Sequence, residues 1–298
     1  MDKNGKHLNQ YLAHLKNVQF FSDHTVKAYR QDIQQFFDYM KNNKLQISKD
    51  NIRDFISDIF LRQRNKATVS RKIYAIRSYF AYLQSRGEIE KNPFDGIRSP
   101  KVEKKLPQIL TEKEMIDFLD RIPGDGFLNS RNKALFEMLY ATGLRVSEIA
   151  NLKQNDIDMK ERLIRVLGKG KKERIVPFNK TASDALLTYL DEKRKKFGRM
   201  ESVIFVNYRG TKISERSIER ILEKLYLETS GSVKKVYPHL FRHSFASHLL
   251  QRGANLRVIQ ELLGHSNLTT TEVYTSLNYS DLLKTYMAFH PRSGGEGE

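Results

Sequence analysis

Residues 92–107, NPFDGIRSPKVEKKLP, hold three prolines and a glycine, and their second half is dense in charge. Proline lacks an amide proton and, with glycine, breaks both helical and strand patterns. No amphipathic helix continues through such a run, so the chain divides there. We read residues 1–96 as one domain, 97–107 as a linker, 108–292 as a second domain, and 293–298, SGGEGE, as a disordered tail. A length of 298 residues accommodates two ordinary domains, each with its own core.

The first domain reads as helices only. Thr25 is a candidate cap for a helix carrying Val26, Tyr29, Ile33, Phe36, Phe37 and Met40. A shorter helix follows over 51–61. Thr68 is the candidate N-cap of another, with Val69, Ile73, Ile76, Phe80 and Leu83 in steps of four and three, stopped by Gly87. The face expected to be exposed carries Arg71, Lys72 and Arg77. A helical bundle with one basic face suits contact with a phosphate backbone.

Charge supports that partner. The net charge is +17, with 18 Lys and Arg against 10 Asp and Glu in residues 1–100 and 34 against 25 in the remainder. Both halves are basic, which fits a polyanion running past both, such as duplex DNA; the linker is long enough for the two domains to close on a duplex as a C-shaped clamp. The absence of cysteine excludes disulfides and thiolate metal sites. No run of 18 apolar residues exists and the N-terminus has no apolar signal core, so a cytoplasmic protein without a membrane partner is expected.

The second domain mixes helices with a little sheet. Thr111 and Glu114 have capping-box spacing. An apolar helix over 132–140 ends at Thr142–Gly143, and LRVSEIANL begins the next with Arg145 in its first turn. A cation there opposes the helix dipole unless an anion sits beside it. Glu148, three residues on, can brace Arg145, so an ordinary helical ion pair is the competing reading. Leu163–Val166 and Arg174–Pro177 read as a hairpin around GKGKKE, with Lys169 between two glycines and Lys171 and Lys172 beside it. Lys169 could reach into a groove and protonate a leaving oxygen; a solvated basic turn is the commoner meaning of such a run. A helix over 181–196, a short strand at 203–206 and a helix over 214–229 follow. Asp156 and Asp158 read as turn residues.

Residues 238–274 gather the most chemistry. A helix from His239 to Arg252, with Leu240, Phe241, Phe245, Leu249 and Leu250 as its apolar positions, ends at Gly253. His239 and Arg242 lie three apart, on one side of it. A second helix, Leu256 to Leu263, passes through Gly264 to His265, and a third begins around Thr269–Thr271 and carries Tyr274. A guanidinium grips two phosphate oxygens, an imidazole moves a proton near neutral pH, and a phenol can attack phosphorus. Three amphipathic helices with solvated polar faces are the alternative. His239 and His243 are four apart but lack the glutamate of a zinc-protease helix, so no metal is expected; His243 and His248 read as structural.

In order along the chain, ATGLRVSEI, VLGKGKKERIVPF, HLFRHSFASHLL, LLGH and TTTEVYTSL resemble the tyrosine recombinase, or phage integrase, family. The resemblance spans nearly the whole chain, and KNPFDGI and the ending AFHPR are most similar to the Xer recombinases, which resolve chromosome dimers. It implies a mainly α fold with a small β-sheet, a SAM-like N-terminal bundle and a mixed α/β catalytic domain. It implies Arg145, Lys169, His239, Arg242 and His265 as catalytic residues and Tyr274 as nucleophile; the local spacing adds Glu148 as the brace of Arg145. It further implies site-specific cutting and rejoining of DNA without cofactor or ATP, a paired half-site target, and a homo- or hetero-tetramer in which the helix after Tyr274 docks into a neighbouring protomer. Packing of that helix on its own domain is the simpler reading. An activating DNA translocase is a further expected partner, and the arm-binding domain of larger phage members is expected to be absent. A mobile-element integrase, a type IB topoisomerase and a non-catalytic basic DNA-binding protein remain open alternatives.

Overall fold

A computed structural model describes residues 3–19, 21, 23–62, 65–100, 109–167, 173–198, 202–232, 234–264 and 279–293. The chain forms two compact units, residues 1–106 and 107–298. Among the described residues no helix is long and apolar enough to cross a membrane.

The first unit is a bundle of α1 (Lys3–Asn17), α2 (Asp23–Asn42), α3 (Lys49–Arg62) and α4 (Lys66–Ser85). Phe36 sits at its centre with Phe55, Phe80 and Phe94 edge-on at 5.2–5.9 Å, an arrangement the ring quadrupoles favour. Two helix starts differ from expectation. Asn65, not Thr68, caps α4: its side chain accepts from the amides of Ala67 at 2.9 Å and Thr68 at 3.4 Å. Asp23, not Thr25, opens α2, where a carboxylate suits the positive helix end.

The exposed basic face of α4 is corrected in part: Arg71 is exposed as expected, Arg77 is half-buried and Lys72 is buried. This helix packs against α1, α2 and α3, so most of its circumference is interior. Lys72 is only 6% exposed and donates to buried Asp32 at 3.0 Å and to Gln35 at 2.6 Å. Arg71 donates to the same Asp32, and Arg77 to the carbonyl of Ile97. A buried carboxylate needs such partners; these cations hold the bundle together.

In the second unit, α5 (Glu112–Arg121) opens with the expected box: Thr111 Oγ1 accepts from the Glu114 amide at 3.2 Å and Glu114 accepts from the Thr111 amide at 2.7 Å. The central α6 (Gly126–Thr142) is buried almost continuously from Ser130 to Thr142, and its buried polar groups are partnered, Arg131 with Asn132 at 2.7 Å and Glu137 with Arg292 at 3.1 Å. It packs against α5, α7 (Val146–Ala150), α8 (Lys180–Phe197) and α10 (Pro238–Gln251). The strands β1 (Ile157–Asp158), β2 (Leu163–Leu167) and β3 (Glu173–Pro177) form an antiparallel sheet with Arg165 opposite Ile175. Ile164, Val166 and Val176 face the core. Asp156 and Asp158 accept from nearby backbone amides, as turn residues do.

The expected strand at 203–206 is two isolated bridges, Lys153 with Val203 and Val206 with Lys212. Ile204, Phe205 and Val206 are all buried, and Tyr189 and Lys193 donate to the Ile204 carbonyl, so side chains take the place of a ladder. Helix α9 (Glu215–Ser230) is capped by Ser214. On α10, Leu250 is 50% exposed rather than core, because it lies one residue round from the stripe of Phe241, Phe245 and Leu249. His248 is buried, sharing a 2.8 Å bond with the Tyr140 hydroxyl and donating from Nε2 to the Leu110 carbonyl; His243, expected to be structural, is exposed.

After α11 (Leu256–Leu263), α12 (Tyr279–Phe289) covers its own unit with buried Leu282 and Tyr286. In the single chain, therefore, the helix expected to dock into a neighbour packs on its own core. His290 stacks on Tyr286 at 4.9 Å, and Arg292 reaches Glu137 at 3.1 Å. Ser293, assigned to the disordered tail, donates to the Met287 carbonyl at 2.7 Å; residues 294–298 lie outside the described residues.

Candidate active site

Two glycines shape the site. Gly143 ends α6 at φ +59, and a Cβ there would stand 2.6 Å from Phe245 Cδ1 and 2.9 Å from Leu263 Cδ2. Gly264 ends α11 at φ +65, where a Cβ would stand 3.0 Å from Arg174 Cδ. Both positions need the left-handed backbone and lack room for a side chain. Gly143 lies two residues before Arg145, and Gly264 immediately before His265.

Arg145 is the N-cap residue of α7. Its amide donates to Glu148 Oε2 at 2.8 Å and its Nη1 to Glu148 Oε1 at 2.9 Å. The anion at this helix start is thus the Glu148 carboxylate. A second guanidinium shares it: Arg174, on β3, donates Nη1 to Oε1 at 3.0 Å, Nη2 to Oε2 at 2.8 Å, and Nε to the Leu262 carbonyl at 3.0 Å. The side chains of Glu148 and Arg174 are 10% and 8% exposed, against 36% for Arg145. Arg145 therefore keeps an open edge towards solvent.

Arg242 enters from the first turns of α10, which starts with Pro238. Its Nη1 donates to the Gly143 carbonyl at 2.7 Å and its Nη2 to the Leu263 carbonyl at 2.5 Å. It is buried. Burial first, then the Arg145 charge, pull its pKa down to about 10, while Glu148 opposes the shift; it stays cationic at neutral pH. His239, three residues earlier, has an exposed ring. Partial desolvation, then the charges of Arg242, His243 and Arg145, hold it below the ordinary histidine range, so its neutral, proton-accepting form prevails near neutral pH. Burial would raise the Glu148 carboxyl, but hydrogen bonds and charge from Arg174, then Arg145, outweigh it and hold it low.

Three guanidinium groups thus face one carboxylate. The uncompensated positive charge, with a neutral imidazole at its side, suits an anion with several oxygens, such as a phosphodiester. Of the sequence-selected residues, Arg145, Glu148, His239 and Arg242 come together here. Lys169, Lys171, Lys172, His265 and Tyr274 lie outside the described residues. Arg71, Lys72 and Arg77 belong to the first unit, in the pairs given above. Arg174 was missed. Its signal was a charged residue on the inward phase of a strand, in step with Val176 and out of step with Ile175.

A helical bundle and a mixed α/β unit whose nearly buried Arg174, buried Arg242 and part-exposed Arg145 leave an excess of positive charge define a protein suited to an anionic, phosphodiester-bearing partner. Residues 108–281 match the Phage integrase family, and residues 8–87 match the Phage integrase, N-terminal SAM-like domain. The chain belongs to the phage integrase family, the tyrosine recombinases. It is 42% identical over 292 residues to the tyrosine recombinase XerC of Thermodesulfovibrio yellowstonii, covering 96% of this chain and 97% of that one. It is 39% identical over 301 residues to XerC of Halalkalibacterium halodurans, covering 98% and 99%. Among solved structures, XerA recombinase aligns at 30% identity with a TM-score of 0.50, covering 96% and 98%. The XerH post-cleavage complex on palindromic difH aligns with a TM-score of 0.70 at 23% identity, covering 94% and 83%, a likeness of fold.

Proposed function

We propose that the protein is a Xer-type site-specific recombinase that resolves chromosome dimers in the cytoplasm, on the nucleoid, and that Tyr274 is its nucleophile. The observation that carries this reading is the joining of Arg145, His239 and Arg242 around one uncompensated positive centre.

In the proposed reaction the Tyr274 phenol oxygen bonds to the scissile phosphorus as the bond to the 5′ oxygen breaks. The phenol proton passes towards His239, and Lys169 gives a proton to the departing 5′ oxygen. The products are a 3′-phosphotyrosyl bond and a free 5′ hydroxyl. The phosphodiester energy is kept, so a 5′ hydroxyl from the partner strand reverses the step without ATP. Arg145 and Arg242 offset the charge on the nonbridging oxygens and His265 donates to one of them. Such preorganised donors are each worth roughly 10²–10³ in rate. Two fixed guanidinium groups fill the electrostatic role that metal ions fill in other phosphoryl-transfer enzymes. A tetramer on paired half-sites and a DNA translocase as activator belong to the same proposal; exchange of α12 between protomers requires its Leu282 and Tyr286 to leave the core in which they are buried.

The test is a nicked suicide substrate analysed on a denaturing gel. The wild-type chain forms a covalent DNA adduct and Tyr274→Phe does not. An adduct with Tyr274→Phe refutes the assignment, with Tyr279 as the rival. Relaxation of plasmid lacking any specific site would instead indicate a topoisomerase.

A further inference from the structure

We infer that Arg174 is a positioning residue for the cleavage step, holding Arg145, through Glu148, in register with the end of α11. The inference rests on the recombinase reading above and adds a residue to it.

Arg174 makes three bonds from one planar group, two to Glu148 and one to the Leu262 carbonyl. Both Glu148 oxygens are taken by its fork, and Arg145 bonds to the same Oε1 that receives Arg174 Nη1. The plane of the carboxylate, and with it the direction of the Arg145 side chain, is therefore set by Arg174. Both partners are nearly buried, so water does not loosen the pair. The third bond fixes the distance from Glu148 to the last turn of α11. Arg242 grips the next carbonyl, that of Leu263, and also the carbonyl of Gly143. Two guanidinium groups thus hold two successive carbonyls of one helix end, each tying it to the segment that presents Arg145.

Gly264 completes the arrangement. A Cβ there would lie 3.0 Å from Arg174 Cδ and 3.3 Å from its Nε, so a side chain would press the Arg174 side chain away from the helix end by a few tenths of an ångström. Arg174 also stands five residues after Lys169 on the hairpin strand. One side chain therefore links the hairpin, the Arg145 loop and the segment leading to His265. Lysine cannot substitute: an ammonium is a point donor and cannot serve two carboxylate oxygens and a carbonyl in one plane.

The test uses Arg174→Lys, with Arg174→Gln as a second variant should the first not fold, beside Glu148→Gln and the Arg174→Gln/Glu148→Gln double variant. Single-turnover cleavage is read at saturating protein on a suicide substrate, once with an ordinary scissile phosphate and once with a methylphosphonate there. The methyl group removes the negative charge that Arg145 would offset. Misplacement of a catalytic group on the order of 1 Å costs roughly 10²-fold, so cleavage of the phosphodiester by either Arg174 variant falls about 10- to 100-fold while half-site affinity changes by less than about threefold. The double variant is no slower than Glu148→Gln, since both changes act through one contact. On the methylphosphonate the penalty shrinks to a few-fold. An equal penalty on both substrates marks a purely structural role and overturns the inference. So do multiplying single effects, or Arg174 variants that cleave at the wild-type rate. A wild-type chain that forms no adduct at all defeats the recombinase reading itself and is told apart by that control.

Discussion

The guanidinium of Arg242 donates to the backbone carbonyl of Gly143 at 2.7 Å, tying the start of α10 to the loop that presents Arg145. A residue proposed to hold phosphate thus also fixes the scaffold, and its replacement acts on both. Arg242→Gln leaves at least one of the Gly143 and Leu263 carbonyls buried without its donor, at a cost of about 1–3 kcal/mol each. We expect a lower Tm together with a loss of cleavage greater than about 100-fold, checked by thermal denaturation beside the suicide-substrate rate. A variant that keeps its stability and loses only the rate contradicts the scaffold half of this relationship.

Gly143→Ala places a Cβ against Phe245 and Leu263 while forcing alanine into the left-handed region. The backbone term costs about 1–2 kcal/mol and the crowding about 1–3 kcal/mol. Chemical denaturation should show a loss of about 2–5 kcal/mol on adding these terms. A loss below about 1 kcal/mol would mean that the loop relaxes freely.

Lys72 separates a structural cation from a DNA contact. Breaking a buried pair costs about 3–5 kcal/mol when one partner is left uncompensated, and Arg71 still reaches Asp32, so Lys72→Gln should cost less than that while lowering the Tm. The dependence of log affinity on log salt for half-site DNA should not change. If Lys72 met a phosphate, the slope would fall by about 1.

Acid should loosen the second unit through His290. Its Nε2 faces the Tyr140 carbonyl, and its Nδ1 faces the Arg292 amide and the Asn179 carboxamide, both donors. Complete burial, and then the positive charges of Arg292, His248 and Arg252, hold it down to about 3. The folded pKa is depressed, so the unfolded chain binds more protons as pH falls below the ordinary value; stability is full above that value and is lost on the way down to about 3. Between pH 7 and 5 the loss is about 2 kcal/mol from this group, and buried His248, also depressed by desolvation, adds to it. Denaturation at the two pH values should show the loss, and His290→Asn should be less stable at pH 7 but flatter across the interval.

His239 gives a kinetic counterpart. With its pKa below the ordinary value of about 6.5, cleavage should be flat through neutrality and fall only in more acidic solution. His239→Gln should be slower and lose that acid limb; an unchanged limb would assign it to another group.

Local punctuation in the sequence foretold much of this. Thr111 with Glu114, Gly143, Gly264 and the Arg145–Glu148 spacing act over three or four residues, and each stands as expected. Partners distant in sequence were hidden. Lys72 looked like a surface cation because Asp32 lies forty residues upstream on another helix. Arg174 looked like one more charge in a basic hairpin because Glu148 and Leu262 reach it only in the folded unit. Leu250 and residues 203–206 differ for a similar reason: apolar character does not say which neighbour will cover it.

The most direct measurement is mass spectrometry of the trapped DNA adduct after proteolysis, since Tyr274 and Tyr279 fall in one tryptic peptide and fragmentation distinguishes them. The nucleotide mass should sit on Tyr274. Its appearance on Tyr279, or on any other residue, would contradict the assignment of the nucleophile.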